Sequence, residues 1–124
     1  MTPIRILALA LISGLAIGAT GAAADAPEIV SATAAKHGLG WNIEVTLKHP
    51  DSGWDHYADG WQVLDENGKV LAFRKLGHPH VTEQPFARAL HSVMVPDGTK
   101  RVFLRAHCSH GDFSTELTEL QLER

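Results

Sequence analysis

The segment from Trp41 to Lys48 alternates strictly between apolar and polar side chains, with four of each. A period of two places one set on a buried face and the other set in solvent, which is typical of a half-buried β-strand. A helix, with its longer period, would mix the two sets on every face. His49-Pro50 ends the pattern, because proline has no N–H to donate to a sheet.

The same kind of segment recurs along the chain, separated by turn residues. Asn67-Gly68 and Pro96-Asp97-Gly98 are two such turns, since both sequences suit tight connections. The predicted strands are Pro27–Ala34, Trp41–Lys48, Tyr57–Leu64, Lys69–Leu76, Phe86–Val95, Arg101–His107 and Ser114–Leu122. Seven short strands without a helical segment after Asp25 predict an all-β sandwich with immunoglobulin-like or fibronectin-like connections. A barrel of about five or six strands is the alternative fold.

The first 24 residues have the features of a secretory signal peptide. Arg5 makes the start basic, an apolar run extends from Ile6 to Ile17, and Ala22-Ala23-Ala24 supplies small residues for cleavage. The apolar run is shorter than the roughly 20 residues that span a bilayer, so a retained anchor is the less favoured interpretation. We therefore predict cleavage after residue 24, one domain over residues 25–124, and a periplasmic or secreted location.

The charge and the cysteine content argue against a nucleic-acid partner and against a disulfide bond within the chain. The chain has 11 Lys and Arg against 14 Asp and Glu, a formal charge of −3, and no basic run exceeds two residues. We therefore expect no nucleic-acid partner, and no membrane span once the signal peptide is removed. Cys108 is the only cysteine, so no disulfide forms within the chain. The core or a bound ion must supply the stability.

Six of the eight histidines, together with Cys108, fall in three connections of the predicted sandwich. Successive strands run in opposite directions, so the connections after the second, fourth and sixth strands share one end. Side chains two residues apart share a face of a strand. The inward-facing set of the second strand therefore extends to His49, and that of the sixth strand extends to Cys108, whereas His107 points outward.

Imidazole and thiolate groups are the preferred ligands of copper, zinc and iron, and carboxylates join or orient them. We predict a site for one Cu, Zn or Fe ion at this end of the sandwich. The candidate ligands are His49, His56, His78, His80, Glu83, Cys108 and His110. The alternative is that these are surface or hydrogen-bonded loop residues, with Pro79 and Pro85 only shaping a turn. No motif builds an oxyanion hole for a Cys108 nucleophile, and no catalytic residue is assigned.

Two segments resemble the metal-binding segments of superoxide reductase, the desulfoferrodoxin-type iron domain: His49-Pro50 with His56-Tyr57, and Cys108-Ser109-His110-Gly111. The resemblance implies an immunoglobulin-like sandwich, iron held by four histidines and one cysteine, and superoxide-reducing activity. The first two histidines are seven residues apart instead of six, and one residue instead of two separates Cys108 from His110. The family's upstream Lys-His-Val-Pro motif is replaced by a poor match at Lys36-His37, and the His78 loop has no counterpart there.

The segments Trp54–Asp59 and His78–Phe86 also resemble WDHYAD-like and HPHVxEQPF-like segments of uncharacterised small exported bacterial proteins. That resemblance implies a type of family and no particular chemistry. Three functions therefore compete: an exported metal-binding sandwich, a superoxide reductase-like iron enzyme, and a non-catalytic accessory module that binds an envelope protein. The sequence leaves the oligomeric state open.

Overall fold

A computed structural model of the protein describes residues 26–114 and 116–123. Its strands are β1 (Glu28–His37), β2 (Gly40–Lys48), β3 (Ala58–Leu64), β4 (Val70–Lys75), β5 (Phe86–Val93), β6 (Arg101–Cys108) and β7 (Thr118–Gln121). They form two antiparallel sheets, with strand orders β1-β2-β5 and β4-β3-β6-β7. The predicted all-β sandwich is confirmed, and each predicted strand overlaps an observed one. The predicted signal peptide lies outside the described residues.

The core lies between the inner faces of β2 on one sheet and of β3 and β6 on the other. From β2, the four alternating apolar side chains between Trp41 and Leu47 are fully buried. From the other sheet, Trp61 of β3 and Leu104 of β6 are fully buried in the same cluster. The strict alternation of β2 therefore reflects its central position, with β1 and β5 paired on its two sides.

The β3–β4 hairpin has the turn that its sequence predicts. Gly68 adopts a positive φ of 85°, which glycine reaches without steric cost. Asp65 Oδ1 accepts hydrogen bonds from the backbone amides of Asn67 at 2.8 Å and Lys69 at 2.9 Å. The side chain thus satisfies two amides that a tight turn leaves outside the sheet ladder.

Three loops meet at one end of the sandwich: a first loop (residues 49–57), a second loop (76–85) and a third loop (109–114 and 116–117). The first and third loops are joined because Ser109 N donates to Tyr57 O at 2.8 Å. The first and second are joined because His80 N donates to Asp51 Oδ2 at 2.8 Å. Among the described residues, no helix is long and apolar enough to cross a membrane.

We expect Leu104→Ala to destabilise the fold by about 2–5 kcal/mol, because it removes buried contacts and leaves a cavity in the core. Leu39→Ala is the matched control, since Leu39 is 84% exposed and its truncation should change stability by less than about 0.5 kcal/mol. Urea denaturation followed by tryptophan fluorescence measures both variants. Equal stabilities for the two would contradict the burial of β6 in this core.

Candidate metal centre

His49, His56 and Cys108 form a compact group of potential metal ligands. One ligand atom from each residue lies within 4.8 Å of the other two. His49 directly follows β2, and Cys108 is the last residue of β6. Both continue the inward-facing series of their strands and are almost completely buried. His56 comes from the first loop, two residues before β3.

The environment of His56 is suited to a bound ion. Its ring lies edge-to-face with that of His49, with centroids 4.7 Å apart. His56 Nε2 is buried and has no hydrogen-bond partner among the described residues. A buried polar atom without a partner costs about 1–3 kcal/mol. A metal ion bound by Nε2 would remove that cost, so the residues present fit a metal.

Asp51 controls the orientation of the His49 ring. His49 Nδ1 donates to Asp51 Oδ1 at 2.6 Å, and both side chains are buried. Because an ionised carboxylate only accepts, Nδ1 carries the proton and the lone pair of the neutral ring lies on Nε2. Metal-bound histidines commonly donate their second ring nitrogen to a carboxylate in this way.

His110 lies beside the group without belonging to it. Its ring stacks on that of His56, with centroids 3.8 Å apart and planes inclined by 13°. His110 Nε2 donates to Asp55 O at 3.0 Å, and the side chain is exposed. A nitrogen that donates to a carbonyl has no lone pair for an ion, so Nδ1 is the nitrogen with ligand capacity in this geometry.

The second loop supplies no atom to the group. His80 is 4% exposed, and its Nε2 accepts from Arg88 Nη2 at 2.9 Å. His78 is exposed and donates from Nδ1 to Pro79 O at 2.9 Å. Glu83 is an exposed ion-pair partner of Arg88 at 3.5 Å. Of the seven predicted ligands, the structure therefore groups His49, His56 and Cys108 and places His110 beside them. The three from the second loop have other contacts: His78, His80 and Glu83.

His107 and Asp59 form a second imidazole–carboxylate pair outside the core. His107 Nδ1 donates to Asp59 Oδ1 at 2.5 Å, and both side chains are partly exposed. The pair lies on the outward-facing positions of β6 and β3, as strand alternation predicts for His107. It is separated from Cys108 by the sheet itself and adds no ligand to the candidate centre.

Gln84 is the residue beside the centre that sequence reasoning missed. Its Oε1 accepts from His49 N at 3.0 Å, across 35 positions of sequence. Asp51 is likewise absent from the predicted set of ligands. The spacing His49-Pro50-Asp51, a carboxylate two residues after an inward-facing histidine, is the signal that could have identified its role.

No protein-family model matches the chain, and no solved structure matches it. The chain is similar to a protein from Halomicrobium mukohataei named "Putative lipoprotein", with 46% identity over 65 residues. The match covers 52% of this chain and 31% of that protein. The chain thus spans about a third of the length of this relative.

The pKa of His80 lies below its ordinary value of 6.5, first because the ring is buried and then because Arg88 and His78 are positive neighbours. Glu83 and Asp51 oppose this only in part. The folded state therefore binds fewer protons at His80 than the unfolded state does. The contribution of the neutral ring to stability is complete above pH 6.5 and is lost as the pH falls below that value towards the lowered pKa.

We expect the metal-free protein to lose stability as the pH falls below 6.5, and His80→Gln to lose less over the same interval. Urea midpoints measured in the presence of a chelator test this. His37→Gln, at an exposed position of β1, should keep the wild-type dependence. Equal pH dependence in wild type and His80→Gln would show that the His80 ring is not held neutral.

Proposed function

We propose that this protein is an exported β-sandwich that binds one transition-metal ion through His49, His56 and Cys108. The observation that supports this most directly is the proximity of two imidazoles and a thiol within 4.8 Å, with His49 and Cys108 almost fully buried and His56 partly buried. The predicted signal peptide and the similarity to a protein named as a lipoprotein support export. A periplasmic or secreted location follows from the same two observations.

The distances fit a site that contracts slightly when it binds an ion. Zinc binds sulfur at about 2.3 Å and nitrogen at about 2.0–2.1 Å, which separates tetrahedral ligand atoms by about 3.4–3.6 Å. Atoms that lie within 4.8 Å of each other therefore need to move by about 1 Å.

The donor set favours copper, zinc or iron over harder ions. Thiolate and imidazole ligands suit these three metals, whereas magnesium and calcium prefer oxygen ligands. A bound metal also keeps the thiol deprotonated, because the thiolate is the ligand. His110 is the candidate fourth ligand, since its ring already contacts that of His56. Storage, delivery and redox chemistry are the roles open to such a centre.

A superoxide reductase-like iron enzyme is the second candidate function. The observation that favours it is that the grouped residues come from the two segments that resemble that family, His49 with His56 and Cys108. In such an enzyme, His49, His56 and Cys108 would hold iron, and the ferrous ion would supply the one electron that, with two protons from water, converts superoxide to hydrogen peroxide. A ferric–thiolate charge-transfer band that disappears in Cys108→Ser would distinguish iron chemistry from zinc or copper binding.

We expect chelator-treated protein to bind one equivalent of Zn²⁺, Cu⁺ or Fe²⁺ and to unfold at a higher temperature when bound. An ion at 100 times its dissociation constant adds about 2.7 kcal/mol of stability. Cobalt(II) is a useful spectroscopic substitute, because a thiolate–cobalt charge-transfer band reports on Cys108. Isothermal titration calorimetry, thermal unfolding and absorption spectroscopy are the measurements.

Cys108→Ser should remove the cobalt–thiolate band, and His56→Gln should weaken binding by more than tenfold. His91→Gln, at an exposed position of β5, is the matched control and should bind like wild type. Circular dichroism of each metal-free variant checks that the fold is retained. Absence of binding at micromolar metal, or binding that neither variant changes, would refute the proposal and leave the accessory-module hypothesis.

A further inference from the structure

The second loop contacts the candidate centre through two separate bridges to His49. The first bridge runs through Gln84, whose Oε1 accepts from His49 N at 3.0 Å and whose Nε2 donates to His80 O at 2.7 Å. One amide side chain thus joins the backbone at the end of β2 to the backbone of the second loop. It therefore fixes the backbone of His49, to which the imidazole side chain is attached.

The second bridge runs through the carboxylate of Asp51, which is 5% exposed. Oδ1 accepts from His49 Nδ1 at 2.6 Å and from Ala58 N at 2.9 Å. Oδ2 accepts from His80 N at 2.8 Å. The carboxylate therefore holds the His49 ring, the first residue of β3 and the second loop at the same time.

Contacts of the His80 side chain keep the His80 backbone amide within hydrogen-bond distance of Asp51. The ring stacks on Phe86, with centroids 3.9 Å apart and planes inclined by 9°. Arg88 Nη2 donates to His80 Nε2 at 2.9 Å, because a guanidinium has donors only. The Nε2 lone pair is thus occupied by Arg88, whose positive charge also opposes a cation at that nitrogen. This arrangement suits a loop anchor better than a metal ligand.

We propose that the second loop positions a metal ligand instead of supplying ligands, with Asp51, His80 and Gln84 as positioning residues for His49. The inference rests on the proposed metal-binding function of His49, His56 and Cys108. Asp51 selects the tautomer with a proton on Nδ1, and Gln84 and His80 hold the backbone and the carboxylate in place. With the proton on Nδ1, Nε2 is the His49 ring nitrogen that can bind an ion.

Preorganisation of this kind has a measurable effect on metal affinity. Removing a group that orients a metal-bound histidine typically costs 10–100-fold in affinity. Asp51→Asn keeps the size of the side chain but loses the charge and replaces one acceptor oxygen by an NH2 donor, so the amide can face His49 Nδ1 with either its oxygen or its nitrogen. Gln84→Met keeps the length of the side chain and loses both hydrogen bonds. Neither change removes a proposed ligand.

The test measures Zn²⁺ affinity by chelator competition and the cobalt–thiolate band for the wild type, four variants of the positioning network and its loop, and His56→Gln as the variant that lacks a ligand. Asp51→Asn should weaken Zn²⁺ binding by about 10–100-fold, and Gln84→Met and His80→Gln should weaken it by a smaller factor. All three should keep one ion per chain and the thiolate band. His78→Gln is the matched control from the same loop, and it should bind like wild type.

A second measurement uses the metal-free protein, so that its result does not depend on metal binding. Nitrogen-15 NMR of the ring nitrogens should show His49 with its proton on Nδ1 in wild type, and a mixture of tautomers in Asp51→Asn. If wild type binds none of zinc, copper and iron, the proposed function fails, while this spectrum still tests the positioning of His49.

Three results would overturn the positioning role. One is unchanged zinc affinity in Asp51→Asn when wild type binds normally. Another is a loss in His80→Gln or His78→Gln as large as that in His56→Gln, which would make the second loop a source of ligands. The third is a wild-type His49 with its proton on Nε2, or a tautomer that Asp51→Asn leaves unchanged.

Discussion

The buried carboxylate of Asp51 is the interaction on which this end of the molecule depends. An ion taken out of water without compensation costs several kcal/mol. Here the two oxygens accept from an imidazole and from two backbone amides. These donors come from the end of β2, the start of β3 and the second loop. The cost of burying the charge is offset only when all three segments are in place, so the carboxylate makes their assembly cooperative.

The position of the candidate centre follows from strand geometry at the ends of β2 and β6. Residues such as Ile43 and Leu104 are fully buried, so these strands have fixed positions at the middle of the core. His49 and Cys108 extend the same inward series by one step beyond the apolar residues. A site built on strand ends inherits the rigidity of the core, whereas His56 comes from the first loop and is held by ring contacts with His49 and His110.

The positions of the strands and turns follow from local sequence, because alternation and turn chemistry are short-range properties. The meeting of the three loops follows from these positions once successive strands run in opposite directions in a sandwich. The period-two pattern around Ile43 and the Asn67-Gly68 turn are sufficient to place both faces of the sheets. The contacts of Gln84 and Arg88 could not be predicted in this way, because they depend on side-chain rotamers and on the register between strands that are distant in sequence. Gln84 and His49 are 35 positions apart, and no local pattern marks them as partners. The sequence therefore predicted the end of the sandwich at which these histidines gather, but not which of them lie close together.

The shortened spacing between Cys108 and His110 has a consequence for the chemistry that the centre can support. Gly111 N donates to Cys108 O at 2.9 Å, which closes a tight turn directly after β6. His110 lies within that turn, so its exposed ring stacks on His56 and its Nε2 bonds Asp55 O. The buried group then contains three protein ligands, whereas purely structural zinc sites use four. If an ion binds there, at least one coordination position is left for water, a substrate or a ring that moves in. An exchangeable position of this kind suits metal delivery or redox chemistry better than a role in stability alone.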